Sequence, residues 1–214
     1  MRRSRAEQKE LNRRALIASA RHLIATQGTN VPVDAIAEAA DLTTGAIYSI
    51  FGSKRDLFLA IVEEGIQADV AGIDDLKQSF QQDDPPLRAT LETYARRAAS
   101  HVDDAFHEET RLEALMTLLC LDDDVFREQC LHLQHAQRSA VAALLTGRPV
   151  SSRTPLRRVT PTEAEPIATA LLALTSGYLL RGVLDDHAHL DGMVRACAAL
   201  ADLVGDDEAP AANG

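Results

Sequence analysis

Cysteine is scarce in this chain. Cys120, Cys130 and Cys197 are its three cysteines, they sit inside apolar helical patterns at no metal-ligand spacing, and an odd number supplies no disulfide framework. Long apolar runs are lacking too. The longest segment, IATALLALTSGYLL at 167–180, is too short to span a bilayer and is followed directly by Arg181. The N-terminal MRRSRAEQKE is charged with no apolar stretch behind it, so no secretory signal is expected. A soluble protein of the reducing cytoplasm, with no membrane partner, is the expectation. No window alternates β-branched residues, and there is no internal repeat or low-complexity core. No nucleophile is paired with a base, so neither enzymatic activity nor a cofactor is expected.

What is present is an ordinary globular composition, 46% hydrophobic and 25% charged over 214 residues, enough for one large domain or a small one plus a medium one. The net charge of −10 speaks against nucleic acid only as a sum. Residues 1–60 hold nine Lys/Arg against six Asp/Glu, while residues 61–214 hold thirteen against twenty-six. A basic end is thus carried on an acidic body. The first ten residues read as a flexible basic arm, either solvated or in contact with phosphate.

Apolar spacings of three and four recur along the chain, which predicts an all-α fold of about nine helices. Leu16, Ile17, Ala20, Leu23 and Ile24 mark one face of a first helix that stops at Gly28. A second helix is predicted from about Val33 to Ala40, with Pro32 at its first position. A third starts at Thr43 or Thr44 and runs to Phe51. After Gly52, Ser53 and Asp56 approximate a capping box that opens a long fourth helix. The Asp83-Asp84-Pro85-Pro86 run then punctuates the chain. Five further helices are expected near 86–101, 104–119, 123–146, 163–185 and 190–204. A mobile loop with four arginines lies at 147–160, and a disordered tail follows 204. The domain organisation expected is an arm (1–10), a three-helix DNA-binding domain (11–60), a helical ligand-binding and dimerisation domain (61–204) and a tail (205–214).

Two short helices crossing steeply need small or apolar residues at their crossing, and the chain has them. Ile36, Ala37, Ala40, Leu42, Ile47, Ile50 and Phe51 are placed to form a shared core. Such a helix-turn-helix leaves the start of its second helix exposed, here Thr43, Thr44, Gly45 and Ala46, whose short side chains allow close approach to a groove floor. Thr44 and Ala46 can meet base edges or a thymine methyl, and Thr43, Tyr48 and Ser49 can donate to phosphates. Lys54, opening the next helix, can hold a phosphate as well. A plain αα corner with Tyr48 half buried satisfies the same spacing.

The run Ile36-Ala37 with Ala40, then Leu42-Thr-Thr-Gly45-Ala-Ile-Tyr48-x-x-Phe51-x-Ser53-Lys54-x-x-Leu57, resembles the DNA-binding region of the TetR (tetracycline-repressor-like) family over about residues 11–60. The resemblance implies double-stranded operator DNA as partner, with the Tyr and the Lys gripping phosphates and the start of the third helix reading bases. It also implies a ligand-responsive regulator, usually a repressor, whose small-molecule effector is unknown. Asp41 stands in the turn where the family has Gly, and Asp is one of the few residues that tolerates a left-handed backbone there.

Beyond residue 60 the residues say less. Ile167 to Leu184 is apolar nearly all round, so a homodimer interface is expected on Ile167, Leu171, Leu174, Tyr178, Met193, Cys197 and Leu200. Phe80, Tyr94, His101, Phe106, Met116, His132 and Tyr178 are candidates to line an effector pocket, and core packing explains each equally well. The cluster Asp185-Asp186-His187-x-His189, and the pair His132 and His135, offer no identifiable ligand set, so no metal is expected. A helical metal-dependent enzyme and a helical protein-interaction adaptor are the alternatives to the regulator.

Overall fold

Apolar stripes spaced for helices, broken at Gly28, Asp41, Gly52 and the tandem prolines, leave no segment for a sheet, and the computed structural model is accordingly helical. It describes residues 4–99, 104–151, 156–182 and 190–204. The helices among them are α1 (Arg5–Gln27), α2 (Val33–Ala39), α3 (Thr44–Phe51), α4 (Lys54–Ser79), α5 (Leu87–Ala99), α6 (Asp104–Asp122), α7 (Asp124–Leu145), α8 (Pro161–Gly182) and α9 (Leu190–Ala199). A 3₁₀ turn, Leu200–Leu203, follows α9. Internal contacts gather them into two units, Met1–Ala68 with Val102–His135, and Asp69–His101 with Ala136–Gly214.

In the first unit, Leu16, Ile17, Ala20 and Ile24 of α1 face Ile36 and Ala37 of α2, Ile47 of α3 and Leu57 and Ile61 of α4. Leu112 and Met116 of α6 and Phe126 of α7 close the same core. Helix α1 begins earlier than expected. The Ser4 hydroxyl accepts from the Glu7 N–H at 3.1 Å while the Glu7 carboxylate accepts from the Ser4 N–H at 2.7 Å, a reciprocal cap that makes residues 5–10 helical rather than a flexible arm. Pro32 is the cap of α2, one position before the place expected for it. At Asp41 the chain takes φ 55, the left-handed conformation expected where the family has Gly. The Leu42 N–H then bonds the Ala37 carbonyl at 2.9 Å, closing α2.

The second unit is built on Leu87, Leu91 and Ala95 of α5, Val141, Leu144 and Leu145 of α7, Ala164, Ile167, Ala168 and Leu171 of α8, and Met193, Val194 and Cys197 of α9. The segment between α7 and α8, expected as a mobile loop, is pinned along both described arms. Val159 N–H bonds the Arg148 carbonyl and Val150 N–H the Arg157 carbonyl, both at 2.9 Å, around an antiparallel bridge of Pro149 with Arg158. Arg148 is buried over the Phe80 ring, and Asp84 accepts from both Arg148 and Arg158, at 3.4 and 2.8 Å. Arg148 and Arg158, two of the four arginines that suggested mobility, hold the segment down, because a buried guanidinium such as that of Arg148 must be paired. The expected tail at 205–214 lies outside the described residues.

Because Asp41 sits at positive φ, its replacement reports on the turn between α2 and α3. Urea unfolding is expected to find Asp41→Gly more stable than Asp41→Val by at least about 1 kcal/mol, since a β-branched residue resists the left-handed region. Equal midpoints would show that the turn re-forms without that conformation.

Candidate nucleic-acid interface

Helix α3 is eight residues long, too short to persist alone, so its orientation is set by what it buries. Ile47 is fully buried, and Leu42, Ile50 and Phe51 pack partly against the same core. That anchoring turns the opposite side outward. Thr43, Gly45, Tyr48 and Ser49 are exposed, and Tyr48 keeps 53% of its surface. Thr44 and Ala46 are half-buried along one flank of the helix. They line a groove of about 870 Å³ with Asn12, Leu42 and the carboxylates Asp34, Glu38 and Asp41. Thr43 caps α3 by position, but its hydroxyl makes no bond to the helix. It is left for another acceptor or donor.

The next turn is more tightly built. The Ser53 hydroxyl accepts from the Asp56 N–H at 3.1 Å and donates to the Asp56 carboxylate at 2.6 Å, which caps α4 as its residues suggest. Lys54 is not simply presented to solvent. Its Nζ donates to the Thr29 carbonyl at 3.0 Å and lies 5.2 Å from the centroid of the Phe58 ring. Partial burial lowers its pKa from the ordinary lysine value. An ammonium has three donors, so one bond to Thr29 leaves two for a phosphate.

Residues 16–61 match the family model of bacterial regulatory proteins, tetR family. This region is that of the TetR family. The fold around it agrees over nearly the whole chain. A Mesorhizobium loti protein assigned to the TetR-family transcriptional regulators is 17% identical, with 94% of this chain and 96% of that one covered and a TM-score of 0.68. The fatty acid degradation regulator FadR of Bacillus halodurans is also 17% identical, covering 98% and 100%, with a TM-score of 0.67. The multidrug binding protein EbrR, solved with imidazole, is 20% identical, covering 88% of each chain with a TM-score of 0.59. At these identities the likeness is one of fold. None of the curated proteins matches the chain.

The charge balance of the TetR-family region is not what its sequence implies. Arg13 pairs with Glu64 at 2.5 Å, Arg21 with Glu109, and Arg55 with Asp123 at 2.7 Å, so acids from beyond residue 60 offset part of its positive excess. The Asp123 carboxyl is held below the usual carboxylate range, first by the N–H of Phe126 and then by Arg55. These pairs were invisible to a count by segment, because the partners are 51 to 88 residues apart.

Of the pocket candidates, Phe80, Tyr94 and Tyr178 border the core of the second unit, whereas Met116 is buried in the core of the first and His132 is exposed. His101 and the side chain of Phe106 lie outside the described residues, as do Asp185, Asp186, His187 and His189. Among the described residues no group of three or more His, Cys, Asp or Glu is gathered as for a metal ion, and no helix is long and apolar enough to cross a membrane.

The expected dimer face needs correction. Ile167, Leu171, Met193 and Cys197 are at most 2% exposed within the single chain, so their surface is already spent on its own core. The outer side of α8 is instead Ala173, Gly177 and Leu180, with Leu174 and Tyr178 half-buried at its edge and Leu200 half-buried beyond α9. With Arg181, Gly192 and Arg195, the α8 residues Ala173, Leu174, Gly177 and Tyr178 frame a shallow depression of about 610 Å³. The small residues Ala173 and Gly177 were the available signal, and periodicity alone did not say which side was outward.

Replacing Lys54 should therefore act on stability as well as on any ligand. Chemical denaturation is expected to show Lys54→Ala destabilised by about 1–2 kcal/mol through loss of the Thr29 bond and the Phe58 contact, with Lys54→Met, which keeps its stem on the ring, affected less. Identical unfolding of all three proteins would remove the structural role.

Proposed function

We propose that this chain is a one-component transcriptional regulator that binds palindromic operator DNA as a homodimer through α3 and releases it, as a repressor, when a small molecule occupies the helical body. The observation that carries the reading is the outward face of α3. A buried Ile47 with Tyr48 more than half exposed on the next residue is wasteful in a plain αα corner, where Tyr48 would pack inward. It suits a helix whose leading turns enter a major groove while Tyr48, Ser49 and the Thr43 hydroxyl meet phosphates. Thr44, Gly45 and Ala46 are the proposed base-facing residues. Lys54 holds the phosphate beside them with the donors that Thr29 leaves.

Homodimer formation is proposed on the outer side of α8, where Ala173 and Gly177 let a second helix approach closely. Two copies so joined present two α3 helices to half-sites one helical turn apart, roughly 34–36 Å. The effector is proposed to act on the second unit, where Phe80, Tyr94 and Tyr178 border the core. EbrR, of the same fold, is a multidrug binding protein, which supports a small organic effector. Release is then a population shift: the effector acts only as far as it prefers the conformer whose α3 helices are wrongly spaced. The proposed lever is α4, which starts at Lys54 and runs unbroken to Ser79.

The deciding experiment is selection from a random duplex pool, followed by binding titrations over a range of salt. The expected result is an enriched palindrome with steep salt dependence, against which Lys54→Ala shallows the slope by about one unit. A pool that returns unenriched at low salt would refute operator binding. Gly177 tests the dimer. A Cβ there meets nothing within 4 Å in the chain, so Gly177→Glu should keep its helical content while sedimenting as a monomer where the wild type is a dimer. A variant that remains dimeric would place the interface elsewhere.

A further inference from the structure

Helix α4 carries two interior glycines, and they differ in what surrounds them. At Gly72 a Cβ would come within 2.9 Å of the Arg97 guanidinium, so the residue is small because its neighbour is close. At Gly65 a Cβ would meet nothing within 4 Å. Glycine inside a helix costs stability relative to alanine, and packing gives no reason for that cost at Gly65.

The burial pattern sets Gly65 in a gap. Leu57, Phe58, Ala60 and Ile61 of α4 belong to the core of the first unit, Ile73 and Leu76 to that of the second, and no residue from 62 to 72 is buried. Polar contacts narrow the gap from both sides. Arg13 of the first unit holds Glu64 at 2.5 Å, and Gln137 of the second donates to the Asp69 carboxylate at 2.6 Å. Residues 65–68 are left between the two ties, where Gln67 bonds Glu63 within the helix at 3.2 Å and Ala68 is exposed. Helix α7 also passes from one unit to the other, and it has a gap of its own. Between Cys130 in the first core and Val141 in the second, no residue from 131 to 140 is buried.

We infer that α4 is two helical segments joined by a hinge at residues 65–68, and that a bend there, in place of the swing of a rigid rod, passes the state of the second unit to the segment that begins beside α3. A helix packed on a core resists bending, because each degree of bend displaces close-packed atoms. An uncovered stretch resists only through its own backbone bonds. Gly65 lowers that resistance further, since a residue without Cβ has more backbone conformations open to it. The hinge follows from burial and packing alone; its link to DNA rests on the operator-binding reading of α3.

Amide exchange on the full chain tests the hinge without any ligand. In the wild type, amides at 65–69 should exchange at least about tenfold faster than those at 57–61 and 73–76, which are anchored in the two cores. Gly65→Ala fits the open space and should slow them about fivefold, as expected for alanine in place of a helix-interior glycine. Adding Ala68→Gly, at an exposed position in the same window, should restore the wild-type rate. Uniform exchange along α4, or rates indifferent to Gly65→Ala, would overturn the hinge. Saturating the wild type with a duplex retained from the random pool should slow 65–69 toward the Gly65→Ala rate, because bound DNA selects one bend. Protection that stops at residues 43–55 would break the link between bend and DNA. A wild type that retains no duplex would sink operator binding, while the free-chain rates still decide the hinge.

Discussion

The burial of Ile47 is the contact on which the rest of the first unit depends. An eight-residue helix has little stability of its own, so α3 exists in one orientation only because its apolar side chain completes a core with Leu16, Ile17 and Ile36. That one anchor decides which residues face out. With Ile47 inside, Tyr48 and Ser49 are carried to the surface by the 100° step of the helix, and Thr43 and Gly45 lead them.

Around that anchor the polar interactions hold two corners. Lys54 reaches back to the Thr29 carbonyl and ties the start of α4 to the turn after α1, and Arg55 reaches Asp123 and ties it to the α6–α7 corner. Exposed ion pairs such as Arg55–Asp123 contribute little to stability one by one. Their larger effect is positional, since each fixes the height and angle of α4's first turn, which stands next to the outward face of α3. Arg55–Asp123, with Arg13–Glu64 and Arg21–Glu109, lowers the positive charge of the region that is proposed to meet DNA. Binding there then leans on hydroxyl and backbone donors as well as on lysine and arginine.

Much of this was legible in advance, for identifiable reasons. Helices α1 to α4 announce themselves through stripes of three and four and through stop signals that act locally, such as Gly28, Asp41 and Gly52. The TetR resemblance was readable because its spacing spans two helices and a turn of fixed length. The second unit was not legible to the same depth. Apolar residues on nearly all sides of α8 tell that it is covered, not by what, and Ile167 and Leu171 proved to be committed to the chain's own core. Arg148 and Arg158 of the 147–160 segment suggested mobility because their partner, Asp84, lies 64 and 74 residues away.

The sequence by itself determined the helical class, the order of the first four helices, the turn conformation at Asp41 and which residues are the candidates proposed to touch a groove. Each follows from interactions within a few residues: capping, steric limits on φ and the period of the helix. Tertiary structure alone decided which of those residues are exposed, which cations are already paired and which side of α8 is free. Those are contacts between elements distant in the chain, set by how side chains of particular volume fill one core, and no local pattern encodes them.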